Sequence, residues 1–420
     1  MSFEKISVLG LGYIGLPTAA MFALGGVEVV GVDVNQEVID TINRGQVHIV
    51  EPDLEEIIKR VVASGHLRAT KVIEPSDAFL LAVPTPFKTM QDSLPQPDLS
   101  FVKAAARSIA VVLKRGDLVI LESTCPVGTT NEILALLKKQ RPDLSFPDEN
   151  SDRSDINIAY CPERVLPGHI VKELVSNDRI IGGVSEVCAE RAVDLYSLFV
   201  AGQCIVTNAK TAEMAKLTEN ACRDSQIAFA NELSILCDNL GIDVWELITL
   251  ANRHPRINIL NPGPGVGGHC IAVDPWFIIS ALPQQSKLMH TARNVNIEKT
   301  NWVISQIKSH ALDLAAEKHK LIDDLKVAYL GLAFKADIDD LRESPSVKIV
   351  LELSKTLKNY CCVEPNIAES EFFDLVSLDT AIAQSDLLVV LVGHREFIFQ
   401  KQQILNAVGD ALDFCGALRP

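Results

Sequence analysis

The feature that most constrains the fold of this chain is a set of three glycines directly after an apolar run. Residues 5–10 read KISVLG, and Gly10, Gly12 and Gly15 then complete a G-x-G-x-x-G pattern ahead of the helical stretch PTAAMFALGG. A second apolar run, VEVVGVD, ends at Asp33. Strand, glycine-rich turn, helix and strand in this order predict a βαβ unit, and hence an α/β domain with a doubly wound parallel sheet.

The same pattern predicts a ligand. The first glycine allows a tight turn, the second lets the backbone approach a pyrophosphate, and the third lets the helix pack closely on the strand. An acid at the end of the second strand accepts both ribose hydroxyls, and it favours NAD over NADP because it repels a 2′-phosphate. A glycine turn that only packs the βαβ unit is the alternative. We expect NAD to contact Gly10, Gly12, Tyr13, Ile14, Gly15 and Asp33.

The rest of the chain, which at 420 residues is too long for one ordinary core, divides into three regions. In residues 211–240 and 285–320, the apolar residues recur at the three- and four-residue intervals of a helix, without a strand pattern. The sequence therefore predicts two Rossmann-like doubly wound parallel-sheet domains, 1–205 and 311–420, joined by a central helical region at 206–310. The strand-like runs on which this division rests lie at 77–86, 117–128, 156–164, 178–183, 325–335, 360–366, 385–394 and 411–416.

Composition limits the partners and the compartment. The formal net charge of −15 opposes broad binding to nucleic acid or to an anionic membrane. The ten cysteines include no C-x-x-C pair and no cysteine–histidine cluster with zinc spacing, so we expect no metal site. The first residues lead directly into a strand pattern without a secretory signal, and no uncharged run reaches a membrane-spanning length. We expect a cytoplasmic protein with reduced thiols.

Threonines follow two of the strand-like runs in the first region. Thr85 lies in VPTP, and Thr124 and Thr130 lie in ESTCPVGTT. Ligands of open α/β sheets bind beyond the carboxyl ends of strands, so Thr85 and Thr124 are expected to line the cofactor crevice. Thr130 either caps the following helix or contacts the cofactor. An ordinary turn or helix-cap role is the alternative for each threonine.

Cys270 differs from the other cysteines in its surroundings. It follows PGPGVGGH, which is too rich in glycine and proline for core packing, and it precedes Ile-Ala-Val-Asp274. Glycines let the backbone approach a ligand, and the neighbouring His269 or a lysine favours the thiolate, which is the attacking form. We interpret Cys270 as a nucleophile, with an inert thiol as the alternative.

A polar stripe lies on the helix that precedes this loop. Lys216 and Asn220 are four residues apart and Arg223 follows three residues later, which places the three side chains on one helix face. A solvated polar face is the alternative. The loop residues His254 and Arg256 have suitable chemistry but no decisive spacing. From the residues alone, the chain is an NAD enzyme with a candidate thiol nucleophile.

Taken together, these motifs resemble the nucleotide-sugar 6-dehydrogenase family, which oxidises UDP-glucose, GDP-mannose or UDP-N-acetylmannosamine. The resemblance implies an N-terminal NAD domain, a central helical region that forms a homodimer, and a C-terminal domain that binds the nucleotide diphosphate of the sugar. The motifs that carry it are GLGYIGLP (10–17), VPTP (83–86), EST (122–124), PERVLPG (162–168), K-x-x-x-N (216–220), GPGVGGHCIAVDP (263–275) and GLAFKADIDDLRESP (331–345).

Details of the motifs favour one branch of that family. The UDP-glucose members usually carry Lys-Asp after the cysteine, whereas this chain keeps Asp274 and lacks the lysine. With NRHPR (252–256), this departure resembles the members that oxidise UDP-N-acetylmannosamine for bacterial surface polysaccharides; UDP-glucose and other nucleotide sugars are the alternatives. The segment DFCG (413–416) departs from the family's Asp-x-Arg/Lys pattern, which leaves open whether Arg419 contacts the nucleotide.

The resemblance also implies catalytic roles. One hydride leaves C6 of the sugar, Cys270 adds to the aldehyde, a second hydride leaves the thiohemiacetal, and water releases the carboxylate from the thioester. Lys216 and Asn220 are implied to stabilise the oxyanion. Asp274 and Glu163 are alternative bases for the hydrolysis.

The substrate contacts implied by the resemblance come from all three regions. Lys335 and Arg342 are assigned to the nucleotide or to contacts between domains, with surface ion pairs as the alternative. The full set of implied substrate contacts is Arg164, Val165, Lys216, Asn220, Arg223, His254, Arg256, Gly267, Lys335 and Arg342.

Two other functions remain compatible with the residues. In a two-electron hydroxyacid dehydrogenase, Lys216 is the acid–base group and Cys270 a bystander. A catalytically silent protein binds NAD or a nucleotide sugar and transforms neither. The amount of NADH formed for each sugar separates these three functions.

Overall fold

The computed structural model describes residues 3–88, 94–148, 154–166, 168–370, 372–407 and 411–419, so Pro167 of the PERVLPG motif lies outside the described residues. Internal contacts divide the chain into two units. The first unit comprises Met1–Thr218 and Trp276–Ala281, and the second comprises Glu219–Pro275 and Leu282–Pro420. Among the described helices, none is both long and apolar enough to span a membrane.

The first unit alternates strands and helices. Its strands are β1 (Lys5–Leu9), β2 (Glu28–Val32), β3 (Leu67–Thr70), β4 (Ala78–Leu81), β5 (Phe87–Lys88), β6 (Gln96–Pro97), β7 (Leu118–Leu121), β8 (Asn157–Tyr160), β9 (Arg179–Gly183) and β10 (Cys204–Asn208). Its helices are α1 (Gly15–Leu24), α2 (Gln36–Asn43), α3 (Leu54–Ala63), α4 (Ser100–Ala110), α5 (Thr129–Gln140), α6 (Ile170–Ser176) and α7 (Glu186–Tyr196).

The main sheet of this unit has eight strands in the order β10-β9-β8-β7-β4-β1-β2-β3. Chain order reverses at β1, which pairs in parallel with β2 on one side and β4 on the other. This reversal is the switch point at which doubly wound sheets bind ligands. The α/β fold class is confirmed. The sequence pattern did not indicate that β9 pairs antiparallel with β8 and that β10 follows the direction of β9.

Alternating side chains along the strands fill two cores, one on each face of the sheet. In β4, Leu80 belongs to one core and Phe79 to the other, and Ile120 and Val119 of β7 repeat this division. Strands that are apolar on both faces must be covered by helices on both faces, as in other parallel sheets. The strongly apolar runs of the sequence therefore became the central strands.

The second unit combines long helices with a smaller sheet. Helix α8 (Ala209–Leu240) begins in the first unit and ends in the second, and α10 (Asp274–Ala281) runs from the second unit into the first. The other helices are α9 (Val244–Ala251), α11 (Lys287–Glu317), α12 (Pro345–Leu353), α13 (Leu378–Gln384), α14 (Arg395–Phe399) and α15 (Lys401–Ala407). The strands are β11 (Val327–Leu330), β12 (Tyr360–Val363), β13 (Leu387–Val390) and β14 (Ala411–Asp413).

The four strands of the second unit form a parallel sheet in the order β12-β11-β13-β14. Tyr329 and Val389 face one core, and Leu330 and Val390 face the other. All four strands coincide with apolar runs in the sequence. The two helical stretches of the central region are each a single long helix, α8 and α11.

Candidate active site

The glycine-rich turn after β1 has two glycines that the protein's own packing requires. Gly10 has φ +90°, and a Cβ there would lie 2.7 Å from the carbonyl oxygen of Ala82. A Cβ on Gly15 would lie 1.8 Å from the carbonyl oxygen of Gly10. Gly12 differs, because a Cβ at this position would have no neighbour within 4 Å among the described residues. Those residues do not require a glycine at position 12, whereas a dinucleotide whose pyrophosphate lies against this turn does.

Asp33 follows β2 at the same edge of the sheet. One of its carboxylate oxygens accepts the N–H of Leu11 at 2.9 Å, and the other accepts the N–H of Asn35 at 2.9 Å. These bonds orient a half-buried carboxylate next to the turn that contains Tyr13 and Ile14. The turn and the acid together fit the pyrophosphate and ribose of NAD.

The predicted threonines lie beyond the carboxyl ends of β4 and β7. The Thr85 hydroxyl donates to the backbone carbonyl of Thr124 at 2.7 Å, which joins the two strand ends. Both residues are half-buried. This pair lies on the β4 side of the switch point, where the order of the sheet places ligands.

Thr130 lies in the first turn of α5, and a partner that the sequence did not indicate holds its polar groups. The buried carboxylate of Glu213 accepts the Thr130 N–H at 2.8 Å, the Thr130 hydroxyl at 2.6 Å and the Gly128 N–H at 2.5 Å. Burial raises the pKa of Glu213, and the bonds from Thr130 and Gly128 oppose that rise. No motif of the sequence singled out Glu213, because its partners Thr130 and Gly128 lie 83 and 85 residues earlier in the chain.

Glu163 follows β8 within a buried charged cluster. Its carboxylate accepts the N–H of Arg164 at 2.6 Å and lies 3.2 Å from the Arg179 guanidinium, which is also buried. Nearby, Glu122 of the EST motif accepts the Tyr196 hydroxyl at 2.6 Å, and burial raises the pKa of Glu122 to about 7. Sequence reasoning missed this cluster because Arg179 and Tyr196 are distant from both acids in the chain.

The remaining residues of the PERVLPG motif that were predicted to contact the sugar are only partly exposed. Arg164 donates to the carbonyl of Asp178 at 3.2 Å, and Val165 is half-buried. Val165 packs against the small apolar cluster of Met21, Ile170 and Leu174. The backbone around Arg164 is therefore anchored to the body of the first unit.

In the second unit, Cys270 lies in the turns that lead into α10. The thiol residue is half-buried, and its carbonyl accepts the N–H of Asp274 at 2.8 Å. Asn220 of α8 donates its side-chain amide to the Asp274 carboxylate at 2.5 Å, and Asp274 is buried. The fold thus brings together three predicted catalytic residues: Cys270, Asp274 and Asn220.

The glycines before Cys270 pack against the segment 334–345. The Gly268 N–H donates to the carbonyl of Arg342 at 3.1 Å. A Cβ on Gly267 would lie 2.7 Å from the Cβ of Phe334, and one on Gly268 would lie 2.8 Å from the Phe334 ring. Phe334 precedes Lys335. The loop of residues 261–270, called the cysteine loop below, therefore packs on the segment that carries the predicted nucleotide contacts Lys335 and Arg342.

The predicted cationic residues are mostly accessible. Lys216 is half-buried on α8, in the part of that helix that belongs to the first unit. Arg342 forms an ion pair with Asp340 at 2.6 Å, and Arg419 forms one with Asp243. The predicted contacts whose side chains are exposed are Arg223, His254, Arg256, Lys335 and Arg342.

In the first unit, a glycine-rich turn followed by an acid at the end of β2 is typical of NAD-dependent dehydrogenases. In the second unit, Cys270 lies in a loop next to the buried Asp274. Comparison with known proteins agrees with this class. Models of the UDP-glucose/GDP-mannose dehydrogenase family match its NAD binding domain at residues 4–200, its central domain at 210–298 and its UDP binding domain at 328–414.

Individual relatives extend over nearly the whole chain. UDP-N-acetyl-D-mannosamine dehydrogenase of Yersinia pestis is 56% identical over 403 residues, covering 94% of this chain and 95% of the relative. NDP-N-acetyl-D-galactosaminuronic acid dehydrogenase of Ralstonia nicotianae is 56% identical over 402 residues, covering 94% and 92%. The solved UDP-D-ManNAc dehydrogenase of Pyrococcus horikoshii has a TM-score of 0.88 at 39% identity, covering 99% and 96%.

This chain belongs to the UDP-glucose/GDP-mannose dehydrogenase family. It is an NAD-dependent dehydrogenase of nucleotide sugars, as the motifs of the sequence predicted.

Proposed function

We propose that this protein oxidises C6 of UDP-N-acetyl-D-mannosamine to the carboxylate of UDP-N-acetyl-D-mannosaminuronate, a precursor of bacterial surface polysaccharide. The observation that carries the proposal is the Cys270 loop, whose thiol residue is bonded through its backbone to Asp274, the partner of Asn220. A two-electron dehydrogenase needs no thiol, whereas oxidation of an alcohol to a carboxylate through an aldehyde does gain from one.

The choice of hexose rests on the relatives. The UDP-N-acetyl-D-mannosamine dehydrogenase of Y. pestis and the N-acetylgalactosaminuronic acid dehydrogenase of R. nicotianae are each 56% identical to this chain. Both names describe 2-acetamido sugars, which favours a substrate with an acetamido group at C2 over UDP-glucose. N-acetylmannosamine and N-acetylgalactosamine differ in configuration at C2 and C4, and we place the mannosamine derivative first and the galactosamine derivative second.

NAD, when bound, accepts the hydride in each of the two oxidations. The first oxidation removes a hydride and a proton from the C6 alcohol and leaves an aldehyde. The Cys270 thiol adds across the carbonyl with formation of a C–S bond, which retains the aldehyde and keeps it oriented. Loss of a second hydride and a proton gives a thioester, and addition of water breaks the C–S bond to return the thiol and release the carboxylate.

The other predicted catalytic residues have distinct proposed roles. Lys216 and Asn220 stabilise negative charge on the C6 oxygen, because an ammonium and an amide both donate hydrogen bonds to an oxyanion. Asp274 and Glu163 are alternative bases for the attacking water. Asp274 is fixed by Asn220, whereas Glu163 is fixed by Arg179 and by the N–H of Arg164.

We further propose that residues 1–205 form the NAD domain, 206–310 the central helical region and 311–420 the nucleotide-sugar domain. Support comes from the family models, which match 4–200, 210–298 and 328–414. In the first of these regions, we assign NAD to the turn at 10–15 and to Asp33, Thr85, Thr124 and Thr130. The proposed substrate contacts are Arg164, Val165, Lys216, Asn220, Arg223, His254, Arg256, Gly267, Lys335 and Arg342.

A homodimer in the cytoplasm completes the proposal. The central region exposes large apolar side chains, with Leu240 71% and Leu250 62% accessible and Phe229 53% accessible. Apolar side chains that remain exposed at this level favour coverage by a second copy of the chain. Sedimentation at micromolar concentration is expected to give twice the mass of one chain, and a monomer would contradict this assignment.

The function is tested with purified protein and a panel of four nucleotide sugars: UDP-N-acetylmannosamine, UDP-N-acetylgalactosamine, UDP-glucose and GDP-mannose. The expected result is two NADH for each UDP-N-acetylmannosamine consumed and a kcat/KM at least about 10-fold above that for the others. One NADH per sugar would favour the two-electron reaction, and absence of turnover with all four sugars would overturn the proposal. Preference for UDP-N-acetylgalactosamine would select the second candidate.

A further inference from the structure

A chain of buried polar side chains links α8 to α11 in the second unit. Arg293 donates to the Asp224 carboxylate at 2.6 Å, and the Asn296 amide donates to the same oxygen at 2.8 Å. The Asn231 amide donates in turn to the Asn296 oxygen at 2.9 Å. All four residues are at most 4% exposed. Since the Asp224 carboxylate only accepts, the donors must run in one direction, from Asn231 towards Asp224.

This polar chain ends at the start of the cysteine loop. The side-chain oxygen of Asn231 accepts the N–H of Gly263 at 2.9 Å. One residue later, the Thr300 hydroxyl of α11 donates to the carbonyl of Pro264 at 2.9 Å. Each long helix therefore contributes one side chain that holds a backbone group at the entry to the loop.

The loop has little space to shift between its entry and Cys270. A Cβ on Gly265 would lie 2.3 Å from the Thr300 hydroxyl oxygen, and one on Gly267 would lie 2.8 Å from Pro345. Gly268 donates its N–H to the carbonyl of Arg342. With the backbone held at 263, 264 and 268, the location of Cys270 depends directly on those anchors.

Stability alone is a weak reason for this arrangement. Replacing a buried ion pair with apolar side chains of similar volume is often neutral or stabilising, whereas hydrogen bonds between buried polar groups fix orientation. The polar chain includes a buried aspartate and arginine, yet its far end reaches a loop backbone. The polar chain fixes the orientation of the Asn231 side chain, so that its oxygen faces the N–H of Gly263.

We propose that Asn231 and Thr300 are positioning residues that hold the cysteine loop so that the Cys270 sulfur meets the C6 aldehyde. The proposal rests on the two-step function described above. Asn231 and Thr300 do not contact the sugar in this proposal. They act by holding the loop so that the thiol captures the aldehyde. Loosening either anchor then lets aldehyde escape before the second oxidation, with less effect on the first.

The test compares Thr300→Val with Thr300→Ser, because valine has nearly the shape of threonine without the hydroxyl and serine keeps it. Thr300→Val is expected to lower kcat for uronate formation about 10-fold or more, with the KM for the sugar changed less than about twofold. It also releases aldehyde that a hydrazine reagent traps, and the NADH formed for each sugar falls towards one. Thr300→Ser restores most of the wild-type stoichiometry. Asn231→Ala is expected to act in the same direction as Thr300→Val.

A matched control is Ser234→Ala, which removes a buried hydroxyl on α8. This hydroxyl accepts from Lys299 and donates to the backbone carbonyl of Asn231 within the helix, and among the described residues it forms no hydrogen bond with the loop or with the Asn231 side chain. Its thermal stability is expected to fall while its NADH stoichiometry stays at two. Wild-type stoichiometry and no trapped aldehyde in Thr300→Val would overturn the proposal, as would aldehyde release of equal size from Ser234→Ala.

A second measurement separates this proposal from the proposed function. Alkylation by iodoacetamide, followed residue by residue with mass spectrometry, compares Cys270 with the exposed Cys222 in the same molecule. The ratio of the two rates is expected to change at least about threefold in Thr300→Val and to stay unchanged in Ser234→Ala, since only the former frees the loop. An unchanged ratio in Thr300→Val contradicts loop positioning even if no sugar is turned over.

Discussion

The carboxylate of Glu213 accepts both the backbone N–H and the hydroxyl of Thr130, at 2.8 and 2.6 Å. A third bond, from the Gly128 N–H, completes the attachment of the first turn of α5 to α8. An acid from another helix thus occupies the place of a local N-terminal cap, near the positive end of the α5 dipole.

Glu213→Gln is expected to lower the free energy of unfolding by about 2 to 3 kcal/mol. Both oxygens of Glu213 accept hydrogen bonds, so the NH2 group of a glutamine would face the N–H of Gly128 or of Thr130 in a buried site. Urea unfolding followed by circular dichroism measures this loss. Glu232→Gln, at an exposed position of the same helix, is the control and should change stability by less than about 0.5 kcal/mol. Equal stability of the two variants would show that the α5 attachment contributes little.

Asp33→Asn is expected to weaken NAD binding about 10-fold or more and to reduce the preference for NAD over NADP. The substitution removes the charge that repels a 2′-phosphate and replaces one acceptor oxygen with a donor. Calorimetric titration of both cofactors measures the two effects. Asp40→Asn, at an exposed position on α2, should leave both affinities unchanged. NAD affinity equal to that of the wild type in Asp33→Asn would remove this carboxylate from the ribose site.

Cys270→Ser is expected to abolish uronate formation while leaving the first oxidation detectable, since a serine hydroxyl is a much weaker nucleophile than a thiolate. NADH formation and carboxylate product are measured together, with a hydrazine reagent present to trap aldehyde. Cys222→Ser, which replaces an exposed thiol on α8, is the control and should keep wild-type stoichiometry. Normal uronate formation by Cys270→Ser would exclude the covalent step.

Glu122→Gln is expected to remove a pH dependence of stability. Burial raises the pKa of Glu122 to about 7, above the ordinary value of 4.5, so between these values the folded state keeps a proton that the unfolded state has lost. The free energy of unfolding therefore falls as the pH rises from 4.5 to 7, by up to about 3 kcal/mol. Glutamine still accepts the Tyr196 hydroxyl without ionising. Urea unfolding between pH 4.5 and 8 measures how the free energy of unfolding changes with pH. Glu190→Gln, at an exposed position, is the control. If Glu122→Gln leaves this pH dependence unchanged, another group causes it.

Lys299→Met is expected to stabilise the protein below pH 7. Lys299 is buried beside Trp302, its ammonium donates to Ser234, and burial lowers its pKa to about 7 from 10.5, although Asp238 opposes that decrease. Between pH 7 and 10.5, Lys299 is protonated in the unfolded state and neutral in the folded state, so the free energy of unfolding rises with pH over this range. Below pH 7, the charge on the buried Lys299 lowers the free energy of unfolding by up to about 5 kcal/mol.

Methionine fills similar space without the charge, so thermal unfolding of Lys299→Met at pH 6 should occur at a higher temperature than in the wild type. The difference should shrink as the pH approaches 10. Exposed Lys308→Met on the same helix provides the comparison and should show no such trend. A difference that grows with pH would contradict a lowered pKa for Lys299 in the folded state.

Local patterns of the sequence determined much of this protein. The apolar runs, the turn at Gly10 and the acid at Asp33 were sufficient to predict the first βαβ unit and its cofactor, because the chemistry of that turn lies within a short stretch of chain. The loop before Cys270 was equally distinctive. Short or partly exposed strands such as β3 and β10 gave no clear run, and their pairing with neighbours decided their structure.

Contacts between distant residues were decided only by the tertiary structure. Glu213 meets Thr130 and Asn231 meets Gly263 across separations of 83 and 32 residues, and neither pair leaves a periodic signal. A helical pattern states that Asn231 lies on a helix, but not that its amide is buried and turned towards a loop. Burial makes these hydrogen bonds important for stability, because a polar group without a partner costs much more free energy away from water than in it. Burial is in turn a property of the packed chain. The sequence by itself determined the turn, the acid and the thiol, whereas packing determined which buried partners hold them in place.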